Sequence, residues 1–439
     1  MFGFLRKIIP TPVMSAYHKF MAIFASFWYG NPSKKMVVIG VTGTNGKSTT
    51  VNVIGRMLDS IGGKVGFTST VNFKVAEKEW LNDKKMTMLG RFALQKLLAD
   101  MVRAGCVYAV VETSSEGLRQ FRHLGINYDI AVFLNLTPEH IESHGGFENY
   151  KKAKAELFFH LTKKPRKKFN ESEIPKMIVA NLDSEYAAYF LDFKADRKFG
   201  FSISQHGGAT VDEELHAEGI EVGPEGSKFL VNNVPFSIKL PGAWNVSNVL
   251  AAVAVGRALG LPLTQIRDAV SDVKGIPGRM EFINEGQAFK VLVDYAPQPQ
   301  SMLPLYEFLK SVHSGRIIHL LGSAGGGRDK SRRPILGEIA GKNADIVIVS
   351  NEDPYDEDPM QIIDEVAAGA VKAGKKDEEN LFRILDRHEA VRYAISLAKE
   401  GDLVLFTGKG AEQAIVVKNR KKIPWDEREE ARRAIRELK

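Results

Sequence analysis

Hydrophobic and polar residues follow two alternating periods along the chain. Short runs of consecutive apolar residues, typical of buried parallel strands, are separated by longer stretches in which apolar residues recur at helical spacing. The strand-like runs lie at 36–41, 64–69, 108–114, 129–136 and 176–183, and the helical stretches lie at 48–61, 91–105 and 147–162. Strands that alternate with helices predict an α/β fold with a mostly parallel sheet.

The pattern changes twice in the second half. Residues 196–240 hold short β-prone pieces between Gly and Asn turns, which predicts an antiparallel extension before a helix at 245–260. A second α/β series follows a Gly and Pro cluster, with strands at 288–296, 315–325, 344–353 and 402–410 and a helix at 360–373. We therefore expect an N-terminal aromatic helical segment (1–34), a central phosphate-loop domain (35–276) and a C-terminal Rossmann-like α/β domain (277–439), with the chemistry in the cleft between the larger two.

The N-terminal segment carries five aromatic residues and one methionine at helical spacing. They are Tyr17, Phe20, Met21, Phe24, Phe27 and Trp28. The sequence holds no run of about 20 apolar residues that could span a bilayer. Two interpretations stay open: the helix packs its aromatic face on the next domain, or residues 1–30 contact a membrane surface.

Charge and cysteine content narrow the class of protein. The 439 residues carry a net charge of +7, which suits anionic ligands such as nucleotides. The sequence has neither a guanine-specifying motif nor an aromatic and basic platform for single strands, so we expect no nucleic-acid partner. Cys106 is the single cysteine, which excludes disulfides and cysteine-zinc sites and fits a reducing cytoplasm.

A phosphate-binding motif follows the first predicted strand. The stretch GTNGKST comprises Gly43, Thr44, Asn45, Gly46, Lys47, Ser48 and Thr49, and it leads into a predicted helix. Backbone N–H groups at such a helix start converge on phosphate oxygens, with Lys47 near the β- and γ-phosphates and Ser48 on Mg²⁺. Glu112 and His140 follow two further predicted strands, at the sheet edge where they can hold divalent cations.

Several motifs together carry a family resemblance. They read VTGTNGKSTT, ETSSEGLRQFR, FLNLTPEHIESHGGFENYKKAKAELF, LPGAWNVSNVLAA, GRME, VDYAPQP, GGGRDKSRRPILG and GKGAE. From Val37 to Glu412 their order and spacing resemble the Mur ligases, most of all the MurE type, which extends the peptidoglycan stem peptide on UDP-N-acetylmuramoyl-L-alanyl-D-glutamate. The resemblance implies an ATP-dependent, ADP-forming ligase that makes an acyl phosphate for an amine to displace.

The resemblance also implies roles for individual residues. Lys154 matches a carbamylated lysine that supports a second Mg²⁺, so the implied catalytic and metal set is Lys47, Ser48, Glu112, His140 and Lys154. Further nucleotide contacts match Asn248, Arg279 and Asp294. The muramyl-dipeptide contacts match Thr87, Ser114, Ser115, Gln120 and Arg122. The incoming amino acid matches Arg328, Asp353, Tyr355, Gly408 and Glu412, with Glu412 on its ammonium group.

The chain departs from the family pattern at the acceptor site and elsewhere. Glu116, Pro297 and Ala411 replace family histidines, and Tyr355 replaces the arginine that selects diaminopimelate. A tyrosine cannot supply the paired donors of a guanidinium, so we expect that diaminopimelate is not held in the usual way. The acidic pair at 352–353 would instead suit a cationic side chain such as that of lysine.

The segment before the phosphate loop keeps other functions open. Only about 35 residues precede the first predicted strand, where the family carries a UDP-binding domain. Either UDP is not recognised or its site is supplied otherwise, and a lipid-linked muramyl substrate is a further option. The alternatives are a folylpolyglutamate synthase-like or other UDP-independent amino-acid ligase, and a catalytically inactive scaffold. We expect a monomer that acts on small molecules.

Overall fold

The computed structural model describes residues 11–137, 144–169, 172–204 and 210–438, without the side chains of Thr11 and Phe169. The chain divides into two compact units. The first unit comprises Met1–Trp80 and Met86–Lys274, and the second comprises Leu81–Lys85 and Gly275–Lys439.

The first unit is built on an eleven-stranded sheet. Its strands and a separate two-stranded pair are β1 (Val37–Thr42), β2 (Val65–Thr68), β3 (Asn72–Val75), β4 (Lys78–Leu81), β5 (Tyr108–Glu112), β6 (Ile130–Phe133), β7 (Lys167–Phe169), β8 (Ser172–Ile174), β9 (Met177–Asn181), β10 (Arg197–Ser202), β11 (Glu213–Gly223), β12 (Gly226–Val231) and β13 (Val234–Ile238). The order in the sheet is β13-β12-β11-β10-β9-β6-β1-β5-β2-β3-β4, and β7 pairs only with β8. The strands from β2 to β11 in this order pair in parallel, whereas β12 and β13 form the predicted antiparallel extension.

Helices cover the sheet of the first unit. They are α1 (Thr11–Trp28), α2 (Lys47–Ser60), α3 (Arg91–Arg103), α4 (Ser115–Arg119), α5 (Phe147–Lys163), α6 (Ala187–Leu191), α7 (Ala243–Ala258) and α8 (Leu263–Ser271), with a 3₁₀ turn at Pro32–Lys35. The central strands are buried along their whole length because helices cover both faces, as the continuous apolar runs predict. The parallel register pairs Val41 with Glu112 and Thr42 with Phe133, so the carboxyl ends of β1, β5 and β6 share one edge.

The second unit has a six-stranded sheet in the order β14-β15-β19-β16-β17-β18. Its strands are β14 (Glu281–Ile283), β15 (Lys290–Val293), β16 (Ile317–Leu321), β17 (Ile346–Ser350), β18 (Leu381–Ile384) and β19 (Leu403–Phe406), and β20 (Ala414–Val417) pairs with β21 (Lys421–Pro424). Its helices are α9 (Pro299–Val312), α10 (Arg332–Asn343), α11 (Pro359–Lys372), α12 (Arg387–Ser396) and α13 (Glu427–Glu437). Only β14 pairs antiparallel in this sheet, so the predicted α/β class is confirmed for both units.

Helix α1 turns its small residues inward. Ala22, Ala25 and Ser26 are buried, and the Ser26 hydroxyl donates a hydrogen bond to the Gly125 carbonyl at 2.8 Å. The exposed fractions on the other side are 54% for Tyr17, 63% for Phe20, 58% for Ile23, 72% for Phe27 and 67% for Trp28. Most of the aromatic face therefore points away from the first unit. None of the helices within the described ranges combines the length and hydropathy that crossing a bilayer requires.

Candidate active site

The predicted phosphate loop joins β1 to α2. Gly46 precedes the helix with φ of 83°, and a Cβ atom there would lie 2.1 Å from Oδ1 of Asn248. Glycine is required because an L-residue is strained at this φ and has no space for a side chain. Lys47 folds back over the loop and donates to the carbonyls of Gly43 at 3.0 Å and Thr44 at 2.7 Å. Since Gly46 offers no capping side chain, the first N–H groups of α2 remain for an anion.

Asn135, just beyond β6, holds the loop in shape. Its Oδ1 accepts hydrogen bonds from the backbone N–H groups of Thr44 at 2.9 Å and Asn45 at 2.8 Å. Its side-chain amide donates to the Asn45 carbonyl at 3.1 Å. Asn135 was not predicted as a site residue, although it follows a buried strand and its position there resembles that of Glu112.

Glu112 meets the predicted magnesium ligand Ser48. The Ser48 hydroxyl donates to the carboxylate at 2.8 Å, and Thr70 donates to it through its backbone N–H at 2.7 Å and its hydroxyl at 2.9 Å. Glu112 is buried at the carboxyl end of β5. The Thr70 hydroxyl oxygen lies 3.0 Å from the Thr87 hydroxyl, from which it can accept a hydrogen bond, and this links a predicted dipeptide contact to the Glu112 carboxylate. Thr70 was missed in the sequence because a single threonine in a loop carries no distinctive signal.

Lys154 lies beneath the same loop. Its ammonium donates to the Gly43 carbonyl at 2.7 Å and lies 4.5 Å from the ring centroid of Tyr150. Lys47 and Lys154 thus share one carbonyl acceptor, and Lys154 is buried. His140 lies outside the described residues. Within those residues, no cluster of three or more His, Cys, Asp or Glu side chains could hold a metal ion.

The remaining predicted residues of the first unit lie at three places: beside the phosphate loop, at the start of α4 and just after α4. Asn248 on α7 contacts the phosphate loop, and it accepts from the Thr50 hydroxyl at 3.5 Å while it donates to Asn245 at 3.1 Å. Ser114 caps α4 by accepting from the Gly117 N–H at 3.1 Å. These contacts keep Asn248 beside Gly46 and fix the turn that follows Glu112.

Arg122 and Gln120 form a polar group after α4. The guanidinium donates to Gln120 Oε1 at 2.6 Å and to the Met88 carbonyl. Burial lowers the pKa of Arg122, and the nearby Arg91 guanidinium lowers it further. Ser115 shares a hydrogen bond of 3.2 Å with Nε2 of His144. Arg122 is therefore a half-buried guanidinium among the residues predicted to contact the dipeptide.

The two nucleotide residues predicted in the second unit lie together. Asp294 accepts from the backbone N–H groups of Met280 at 2.7 Å and Ala296 at 2.9 Å. Burial raises the pKa of Asp294, whereas the nearby Arg279 guanidinium opposes that shift. The Arg279 guanidinium carbon lies 4.3 Å from the ring centroid of Tyr295. Arg279 and Asp294 can therefore act on one ligand, as the sequence analysis expects of a nucleotide site.

The predicted acceptor residues Asp353 and Glu412 are paired with lysines of this chain. Lys409 donates to Asp353 Oδ1 at 3.1 Å and to Glu412 Oε2 at 2.9 Å. Lys85 donates to Asp353 Oδ2 at 2.5 Å and lies 2.9 Å from Glu412 Oε2. Burial opposes ionisation of the aspartate, but the two ammonium groups together lower the pKa of Asp353. Neither lysine was identified from the sequence, because their pairs with Asp353 join residues 268 and 56 positions apart in the chain.

Arg328, Tyr355 and Gly408 complete the predicted acceptor set. The Arg328 guanidinium carbon lies 5.2 Å from the ring centroid of Tyr355. Gly408 has φ of 97°, and a Cβ atom there would lie 2.4 Å from Oε2 of Glu352. Burial raises the pKa of Glu352. Of the acidic pair expected to receive a cationic side chain, Glu352 is buried and Asp353 is already ion-paired.

Comparison with known proteins places this chain in a family. Two family profiles match: the Mur ligase middle domain over residues 41–256, and the Mur ligase glutamate ligase domain over residues 278–410. A UDP-N-acetylmuramyl-tripeptide synthetase from Roseiflexus sp. (strain RS-1) is 39% identical over an alignment of 442 positions. The alignment covers 98% of this chain and 85% of that protein.

Solved structures agree with the profile matches. A UDP-N-acetylmuramoyl-L-alanyl-D-glutamate–2,6-diaminopimelate ligase is 28% identical with a TM-score of 0.60, over 98% of this chain and 84% of its own. Folylpolyglutamate synthase from Mycobacterium tuberculosis has a TM-score of 0.67 over 88% of this chain and 92% of its own, but at 16% identity this likeness extends to the fold alone. The predicted resemblance is confirmed: this chain belongs to the Mur ligase family.

Proposed function

We propose that this chain is an ATP-dependent ligase that phosphorylates the D-glutamyl carboxylate of a muramyl-dipeptide and joins it to an amino acid. The observation that carries the proposal is the hydrogen bond from Ser48 to Glu112. It lies beside the phosphate loop, where Lys47 and Lys154 both donate to the Gly43 carbonyl. A carboxylate reacts poorly with amines, so the γ-phosphoryl group must first convert it into an acyl phosphate. The amine then displaces phosphate through a tetrahedral intermediate.

Ser48 and Glu112 suit magnesium. Hydroxyl and carboxylate oxygens are the ligands that Mg²⁺ prefers, and these two side chains lie 2.8 Å apart at the mouth of a phosphate loop. When bound, Mg²⁺ would offset negative charge on the transferring phosphoryl group. A second ion supported by His140 and a carbamylated Lys154 is part of the proposal. Lys47 would neutralise charge on the terminal phosphates. Its hydrogen bonds to the Gly43 and Thr44 carbonyls hold it beside the loop for this role.

The substrate residues follow from the same proposal. Arg122 would bind the dipeptide carboxylate with Thr87, Ser114, Ser115 and Gln120 as further contacts, because a guanidinium donates in pairs. Asn248, Arg279 and Asp294 would hold the nucleoside part of ATP. Arg328, Asp353, Tyr355, Gly408 and Glu412 would form the site of the incoming amino acid. We further propose a cytoplasmic monomer that acts on small molecules and not on nucleic acid.

Replacing Lys47 with methionine tests the proposal. ADP release should require ATP, a muramyl-dipeptide and an amino acid together, and the variant should lose turnover without losing thermal stability. Lys64→Met is the matched control, because Lys64 is an exposed lysine beyond the same helix. Full turnover in the Lys47 variant would contradict the proposal. Turnover with a pteroyl acid in place of the muramyl-dipeptide would favour the folylpolyglutamate synthase-like alternative.

We also propose that α1 contacts a lipid surface. Its exposed face is apolar and aromatic, its sequence carries Lys19 and no acidic residue, and Lys34 and Lys35 follow it. Aromatic side chains with flanking cations suit the headgroup region of an anionic bilayer. The full chain should float with anionic liposomes, and Phe20→Ser with Phe27→Ser should abolish flotation. Flotation of neither protein, or of both equally, would refute this contact.

A further inference from the structure

Lys85 is a residue of this chain whose ammonium group occupies the space beside two carboxylates of the predicted acceptor site, those of Asp353 and Glu412. Its ammonium has three oxygen partners: Asp353 at 2.5 Å, Glu412 at 2.9 Å and the Ala414 carbonyl at 2.9 Å. Its side chain is only 7% exposed. An ammonium group has three donors, so every donor of Lys85 is matched by an acceptor that belongs to this chain.

The charges in this group balance. Lys409 makes the same kind of contacts as Lys85, since it donates to Asp353, Glu412 and the Ala414 carbonyl. Two ammonium groups therefore face two carboxylates. A cationic side chain brought into this place would lose water and would find the Asp353 and Glu412 carboxylates already paired with ammonium groups of this chain.

Lys85 is also held by the segment that carries it. Leu81–Lys85 belongs to the second unit, and Lys422 donates to the carbonyls of Asp83 and Lys84, each at 3.1 Å. Lys85 has a φ of 53°, a conformation that L-residues seldom adopt. A short segment anchored at both its backbone and its terminal lysine indicates a fixed position for this ammonium.

We propose that Lys85 is a specificity-determining residue, which denies the Asp353 and Glu412 carboxylates to an acceptor with a cationic side chain. The inference rests on the proposed function, because it takes these carboxylates to lie in the acceptor site. It reverses the expectation drawn from the acidic pair at 352–353. The preferred acceptor then has a side chain without positive charge.

The test compares L-lysine with L-norleucine, which has the same chain length and lacks the ammonium. The wild-type protein should show a higher kcat/KM with norleucine. Lys85→Met should raise the lysine-to-norleucine ratio at least about tenfold, because lysine could then supply the missing ammonium to a buried carboxylate pair. Lys84→Met is the matched control: Lys84 immediately precedes Lys85, is 59% exposed and forms an ion pair with exposed Asp83. A ratio that is unchanged or lower in Lys85→Met, or a wild-type preference for lysine, would overturn the inference.

A second variant covers the case in which Lys85→Met does not fold. Lys85→Arg keeps the positive charge and should keep the wild-type exclusion of lysine, so a gain of lysine by this variant would also overturn the inference. Calorimetric binding of L-lysine separates the two levels of the proposal. If no acceptor is ligated but Lys85→Met binds lysine about tenfold more tightly than wild type, the proposed function fails and the acceptor specificity fails with it, whereas the exclusion of a cationic ligand from these two carboxylates by Lys85 is retained. If ligation occurs and both proteins bind lysine equally, the inference fails alone.

Discussion

Replacing Gly46 with alanine tests how closely the phosphate loop is packed. Gly46 has φ of 83°, and its added Cβ would lie 2.1 Å from Asn248 Oδ1. An L-residue at this φ costs about 1–2 kcal/mol. Displacing Asn248 adds about 1 kcal/mol for a strained rotamer and about 1 kcal/mol for its hydrogen bond to Asn245. Gly46→Ala should therefore lower the free energy of unfolding by about 3–4 kcal/mol.

A second glycine separates the cost of backbone strain from the cost of displacing Asn248. Gly62 has φ of 87° and no heavy atom within 4 Å of an added Cβ, so Gly62→Ala carries the backbone strain alone. Urea unfolding followed by circular dichroism should give a loss about 2 kcal/mol larger for Gly46→Ala than for Gly62→Ala. In an Asn248→Ala background this difference should vanish. If the two glycine variants unfold alike, or if the difference survives without Asn248, the packing argument is wrong.

The remaining predictions concern the metal site, a buried histidine and a buried ion pair. Glu112→Gln should raise the Mg²⁺ concentration for half-maximal turnover at least about tenfold, measured by ADP release in a magnesium titration, and an unchanged value would exclude Glu112 as a ligand. Burial lowers the pKa of His319 to about 3. Between about pH 6.5 and pH 3 His319 is protonated in the unfolded state and neutral in the folded state, so this one residue should remove about 1.4 kcal/mol of stability for each unit that the pH falls; His319→Asn should remove this contribution in urea titrations. Arg387→Met should lower the free energy of unfolding by about 3–5 kcal/mol in the same assay, because it leaves the buried carboxylate of Glu427, 2.6 Å away, without its ion-pair partner.

The parallel sheet and the phosphate loop could be predicted because their signals are local. Continuous apolar runs mark β1, β5 and β6, and parallel pairing brings their carboxyl ends to one edge, which places Glu112 beside Ser48. The helix at residues 11–28 was equally clear from its spacing. The face that this helix packs against the rest of the first unit could not be predicted. The face of small residues, with Ala22 and Ala25, fits there more closely than the aromatic face does.

The ion pairs of the second unit could not be predicted. Lys85 and Asp353 are separated by 268 positions, and nothing in the spacing of either motif indicates that they meet. The acidic pair at 352–353 could be read as an open cation site because burial is invisible in a dipeptide. In the structure Gly408 packs against Glu352 and removes that carboxylate from solvent. Long-range pairing and local burial were therefore the missing information.

The fate of oxygen in the muramyl-dipeptide tests the central claim most directly. The dipeptide would carry ¹⁸O in its D-glutamyl carboxylate, and phosphate released during ligation would be analysed by mass spectrometry. Attack of that carboxylate on the γ-phosphoryl group, followed by amine attack at carbon, transfers one carboxylate oxygen to phosphate. The account predicts phosphate that contains one ¹⁸O for each peptide bond formed. Unlabelled phosphate released with product would contradict an acyl phosphate intermediate.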